Sequence, residues 1–80
     1  MHYVYLLRSL AKPTQRYIGS PEDLRQRLAE HNEGKSAHTA QYRPWSLVTY
    51  VAFSQKDQAL MFERYLKVGS GHAFARRHLW

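Results

Sequence analysis

The sequence predicts a small mixed α/β (α+β) fold in the order ββαβα(α), and three observations carry that expectation. Period-2 runs of β-branched and aromatic residues open the chain and return near position 50, helix-start signatures follow, and glycines stand where the helices should end. Eighty residues are enough for one hydrophobic core, so residues 1–80 are expected to form a single domain.

In His2-Tyr3-Val4-Tyr5-Leu6-Leu7-Arg8, period 2 puts Tyr3, Tyr5 and Leu7 on one face and Val4 and Leu6 on the other. Pro13 interrupts the pattern and Gln15 to Gly19 resumes it, so 2–9 and 15–19 read as a β-hairpin that makes Tyr5 and Tyr17 near neighbours. Ser20-Pro21-Glu22-Asp23 reads as a helix start: a Ser cap, Pro where a missing N–H is harmless, and acids at the positive end of the dipole. This helix should run to about Asn32 and exit at Gly34, docking through Leu24, Leu28 and Ala29 with Arg27 and His31 flanking that stripe. The stretch from 35 to 45 reads as irregular, too long for a routine connection and hence functional or mobile. Ser46 to Phe53 is the clearest strand. A capping signature at Ser54-Gln55-Lys56-Asp57 leads into a second helix over 58–68 closed by Gly69, and a short third helix over 72–78 follows.

Twelve Lys and Arg face six acids, for a net charge of +6, and eight of the cations are Arg, which forks onto phosphate oxygens. A polyanion is therefore the expected partner, with ordinary solubility charge as the competing explanation. No acid lies between Gly34 and Lys56. Within that stretch Lys35, His38 and Arg43 are candidates for phosphate contacts and Tyr42 for base stacking, while Trp45 is expected to anchor the third strand in the core. Arg76, Arg77 and His78 form a second basic cluster that reads equally well as a solvated helix face. The absence of cysteine excludes disulfide frameworks, thiolate zinc sites and cysteine nucleophiles, and fits a cytoplasmic compartment. No leader peptide and no membrane-spanning apolar run is evident, so a soluble protein with no membrane partner is expected.

Glu63 falls inside the inward stripe of the second helix, defined by Ala59, Leu60, Phe62 and Leu66. A carboxylate there reads equally as an i,i+4 pair with Lys67 or as a ligand for a hard cation, Mg²⁺ or Mn²⁺, completed by water and substrate phosphate.

Taken together, Tyr3-Val4-Tyr5, an interval of eleven residues, Tyr17-Ile18-Gly19, Arg27 eight residues later and Glu63 on a later helix resemble the GIY-YIG nuclease family. The likeness extends to residues 23–32, to Arg43-Pro44-Trp45, and to Tyr65-Leu66-Lys67 followed by Gly69-Ser70-Gly71, and so covers essentially the whole chain. The small stand-alone subgroup of single-domain endonucleases is the one it looks like. Three positions depart from the family pattern: the first motif reads Tyr-Val-Tyr, Ser20 stands where many members carry lysine, and no asparagine follows Glu63.

The resemblance implies a three-stranded antiparallel sheet flanked by helices and a DNA endonuclease that uses one divalent metal, with nicking as its minimal activity. Glu63 would bind the metal, Arg27 would contact the scissile phosphate, Tyr5 and Tyr17 would line the site, and Gly19 would let backbone approach closely. The general base is left open among Tyr5, Tyr17 and His31, since a tyrosine needs nearby positive charge to serve and histidine starts from a better pKa. Phosphate contacts do not separate DNA from RNA. A monomer or weak homodimer is expected, with a protein partner as one source of specificity. The competing readings are a catalytically inactive nucleic-acid-binding module of the same fold and, third, a protein adaptor.

Overall fold

The alternation at the start of the chain becomes β1 (His2–Ser9), which lies in the middle of a three-stranded antiparallel sheet between β2 (Arg16–Gly19) and β3 (Trp45–Phe53). The computed structural model describes residues 1–20 and 24–80. The remaining elements are α1 (Leu24–Glu33), α2 (Ala37–Ala40), α3 (Lys56–Lys67) and α4 (Gly69–His78). The expected α+β class and its antiparallel sheet are what the chain forms.

Because β1 is central, both of its faces are covered, and each carries its own core. Val4 and Leu6 pack with Ala59 and Leu66 of α3 and Ala75 of α4. Tyr5 and Leu7 turn the other way and pack with Trp45, flanked by half-buried Tyr17, Leu24 and Leu28. Every β1 residue from Val4 to Leu7 is at most 1% exposed, and burial of each aliphatic side chain contributes roughly 1.5–3 kcal/mol. In the β1–β2 register Tyr5 opposes Gly19 and Leu7 opposes Tyr17, which places the two phenols diagonally on one face. The β1–β3 ladder slips one residue between Leu6 and Leu7, as an extra residue on β3 requires.

Several local expectations are corrected. The helix start read on Pro21, Glu22 and Asp23 lies outside the described residues. Ala29 is exposed, and the third place in the α1 stripe belongs to His31, seven residues after Leu24, so His31 lies within the stripe rather than beside it. The 35–45 stretch is ordered around α2, whose Thr39 is buried, and the chain then crosses a cis Arg43–Pro44 bond into β3. Helix α3 begins at Lys56 with Gln55 rather than Ser54 at its N-cap. Helix α4 is longer than expected and starts immediately after the extended Val68, where Gly69 takes φ +55°. The exit at Gly34 is as expected, with φ +80°, a left-handed conformation that favours glycine.

Candidate active site

Tyr5 points from the middle strand toward α1 and is 1% exposed. Its ring lies across Gly19 of β2: a Cβ at position 19 would stand 2.5–2.6 Å from two Tyr5 ring carbons. Only glycine lets the two strands keep this register with the phenol lying over the backbone. Tyr17 completes the aromatic wall, its ring centroid 5.9 Å from that of Tyr5 and 4.7 Å from that of His31. The Tyr5 hydroxyl is 3.0 Å from His31 Nε2, and His31 Nδ1 is 2.9 Å from Thr39 Oγ1.

Helix α1 delivers His31 because Leu24, Leu28 and His31 share one face, and the last of them reaches over the sheet. Burial, and then the nearby Arg27 charge, lower its pKa from the ordinary histidine value, and Glu30 opposes them. The ring is therefore neutral at physiological pH. Burial also raises the Tyr5 pKa, with Tyr17 adding to the rise and Arg27 working against it, so the phenol stays protonated. Burial works against the Arg27 charge as well. Tyr5 and Glu30 more than offset that, holding the guanidinium above its ordinary value.

Arg27 sits at the open margin of this cluster. Its guanidinium pairs with Glu30 at 3.1 Å, and its side chain is 47% exposed. An ion pair of this kind is worth at most about 1 kcal/mol, so the guanidinium is only weakly held. Four of the sequence candidates, Tyr5, Tyr17, Arg27 and His31, thus come together on the α1 side of the sheet. Glu63 does not join them directly. It belongs to α3, which packs on the opposite face, and its carboxylate is held by Lys67 at 3.4 Å, the pairing that the i,i+4 spacing offered. At the β2 edge Lys67 and Tyr17 line one groove of about 330 Å³ together with Arg16, Leu66 and His72, and neither Glu63 nor Tyr5, Arg27 or His31 is part of its lining.

The candidate phosphate contacts flank the cluster. Lys35 and His38 are exposed, and Lys35 lies 3.5 Å from Glu33. Arg43 is exposed and folds its guanidinium against the α1 exit at Gly34. Tyr42 is half-buried and packs edge-on to Trp45, so it serves the core rather than lying open for stacking. Trp45 is 4% exposed and donates its indole N–H to the Thr39 carbonyl at 2.8 Å, the core anchor that was expected.

Two residues in this neighbourhood are not among the sequence candidates. Thr39 is one hydroxyl in a polar stretch, and only the tertiary structure shows that it touches His31. Asn32 accepts the backbone N–H of Trp45 at its side-chain oxygen and donates to the Trp45 carbonyl at 3.2 Å, which fixes the entry of β3 against α1. Its place directly after His31 in a resembling segment was the one available hint.

The arrangement offers a proton path from a buried phenol to a neutral imidazole, with an exposed guanidinium beside it and the Glu63 carboxylate on the helix across the sheet. That inventory suits hydrolysis of a phosphate ester. Comparison with known proteins gives the same direction. Residues 1–73 match the model of the GIY-YIG catalytic domain. The structure-specific endonuclease subunit SLX1 of Candida dubliniensis is 39% identical over 95% of this chain, and that of Debaryomyces hansenii is likewise 39% identical over 95%. The chain spans 28% and 23% of the length of these two fungal relatives. A UPF0213 protein of Streptococcus pyogenes is 41% identical over 81% of this chain, which spans 70% of its length.

Proposed function

This chain belongs to the GIY-YIG family, and from that premise we propose that it is a metal-dependent endonuclease that hydrolyses phosphodiester bonds in DNA and nicks one strand per encounter. The observation that carries the reading is the hydrogen-bonded meeting of Tyr5 and His31 beside Tyr17 and the exposed Arg27. Its net charge of +6 favours a polyanionic substrate. Fungal relatives carry the words structure-specific in their name, and recognition of DNA shape rather than sequence is the matching expectation here. They are also named as subunits, which supports a protein partner that supplies specificity. Repair, recombination and mobile-element processing are the settings such an activity serves.

Arg27 leaves Glu30 to fork onto the non-bridging oxygens of the scissile phosphate and stabilise the charge that develops there. Tyr5, protonated in the resting protein, receives a proton from the attacking water while passing its own to His31 Nε2. The water oxygen bonds to phosphorus, the bond to the leaving oxygen breaks, and the proton rests on the imidazole. This assigns the proton to His31 by way of Tyr5, and leaves Tyr17 to wall the site.

Among the described residues no group of three His, Cys, Asp or Glu is placed to hold a metal ion. One half-buried carboxylate, Glu63, restrained by a displaceable Lys67, fits Mg²⁺ or Mn²⁺, which keep several waters and take substrate phosphate as ligand. When bound, such an ion neutralises charge on the phosphate and its leaving oxygen. Lys35, His38 and Arg43 lie along the path of a flanking strand and add phosphate contacts.

Conversion of supercoiled plasmid to nicked circle tests the reading. The wild-type protein with Mg²⁺ or Mn²⁺ should nick, and chelation should stop it. Arg27→Ala and Glu63→Gln should each lower the rate by about 10²–10³-fold while binding persists. Equal binding by all three proteins with no cutting under either metal would instead establish an inactive binding module.

A further inference from the structure

Thr39 makes a buried contact to His31 that the proton path just described does not use. The residue is 1% exposed and lies on α2, the short helix in the segment expected to be irregular. The direction of each hydrogen bond can be worked out from one end. That end is Thr39, whose hydroxyl hydrogen is directed at the Ser36 carbonyl 3.4 Å away, so that its oxygen is free to accept. The Tyr5 hydroxyl lies 3.0 Å from His31 Nε2, within reach to donate there. A neutral imidazole that accepts at Nε2 carries its hydrogen on Nδ1, and Nδ1 points at Thr39 Oγ1, 2.9 Å away. Thr39 then accepts from His31 and turns its own hydrogen to the Ser36 carbonyl at 3.4 Å, a long bond.

We infer that Thr39 is a positioning residue that holds His31 in the Nδ1–H tautomer, so that Nε2 is open to the Tyr5 proton. The tautomer itself depends only on this geometry, while its catalytic consequence rests on the nuclease reading. A second observation separates the hydroxyl from the scaffold: the Thr39 backbone carbonyl is held by the Trp45 indole, so α2 stays anchored when only the hydroxyl is removed. The groups that face the imidazole are Tyr5 from β1, Tyr17 from β2, and Arg27 and Glu30 from α1; α2 contributes the uncharged Thr39. Neither Tyr17 nor Glu30 bonds to Nδ1, and Thr39 selects the tautomer there because its own hydrogen is directed at Ser36 and its oxygen accepts. An orienting partner on the far nitrogen is the usual device by which a protein fixes which imidazole nitrogen carries the proton.

Long-range ¹H–¹⁵N spectra of the histidine rings, recorded on the full chain without DNA at neutral pH, read the tautomer directly. The His31 signal is assigned by its loss in His31→Gln. In wild type the hydrogen is expected on Nδ1. Thr39→Val, which keeps the shape and loses the hydroxyl, should move the population toward Nε2–H, and Thr39→Ser should restore the wild-type pattern. In the plasmid assay Thr39→Val should slow nicking by roughly 10–100-fold and shift the acidic limb of the pH–rate profile, with Thr39→Ser close to wild type. A wild-type ring protonated at Nε2, or a Thr39→Val ring indistinguishable from wild type, overturns the inference. If Thr39→Val does not fold, the wild-type and Thr39→Ser spectra still decide it, because an Nε2–H ring in either is incompatible with the inference. A wild-type Nδ1–H ring that moves in Thr39→Val, in a protein that never cuts, upholds the tautomer lock and removes the nuclease reading alone.

Discussion

The two faces of β1 use the same alternation for different ends. Toward α3 and α4, Val4 and Leu6 pack into an apolar cluster, and what they supply is cohesion. Toward α1 and α2, Tyr5 is just as buried, yet its hydroxyl continues into His31 and Thr39, so that face holds a satisfied polar chain inside a hydrophobic wall. A buried polar chain adds little net stability even when every member is paired, and costs much when one partner is lost. The comparison separates a face that holds the sheet together from a face that holds the groups of the candidate site in place.

The sharpest way to break that comparison is to delete one oxygen on the polar face. Tyr5→Phe should reduce nicking by about 10²–10⁴-fold, the range for loss of a proton-transfer group, while thermal unfolding shows a protein that still folds. The converse deletion is Leu6→Ala on the apolar face. It should cost roughly 2–5 kcal/mol in a denaturant titration and leave the rate per folded molecule near wild type. The smallest effect is a pH dependence. His31 binds its proton less readily when folded than its ordinary value of 6.5, so the unfolded chain is protonated first as pH falls. Stability contributed by the neutral ring is complete above that value and declines below it. Melting temperatures measured from neutral to mildly acidic pH should fall, and the slope should shrink in His31→Gln.

How much of this could be read in the sequence follows from the range of each interaction. The strands and the exit at Gly34 are local: period, proline and glycine specify them, and they appear where expected. Tyr5, Tyr17, Arg27 and Glu63 were singled out by a resemblance in spacing, and three of them lie on one side of the sheet. The role of α2 was not legible, because a four-residue helix has too few turns to show a period, and what orders it is a Thr39 contact to a histidine eight residues back. The place of His31 could have been read from the spacing of Leu24, Leu28 and His31, but a histidine does not count as apolar in a search for a docking stripe. The position of Glu63 depends on α3 packing on the opposite face of the sheet, and no local pattern encodes that.

Gly19 sets a dimension for the whole site. The phenol of Tyr5 rests against a backbone with no side chain between them, so its height above the sheet is fixed by the size of a hydrogen atom. Adding a single methyl there would lift the ring toward α1, and the hydroxyl would overshoot the imidazole that it now meets at 3.0 Å. The smallest residue in the motif thereby acts as the spacer that calibrates the distance between two much larger ones.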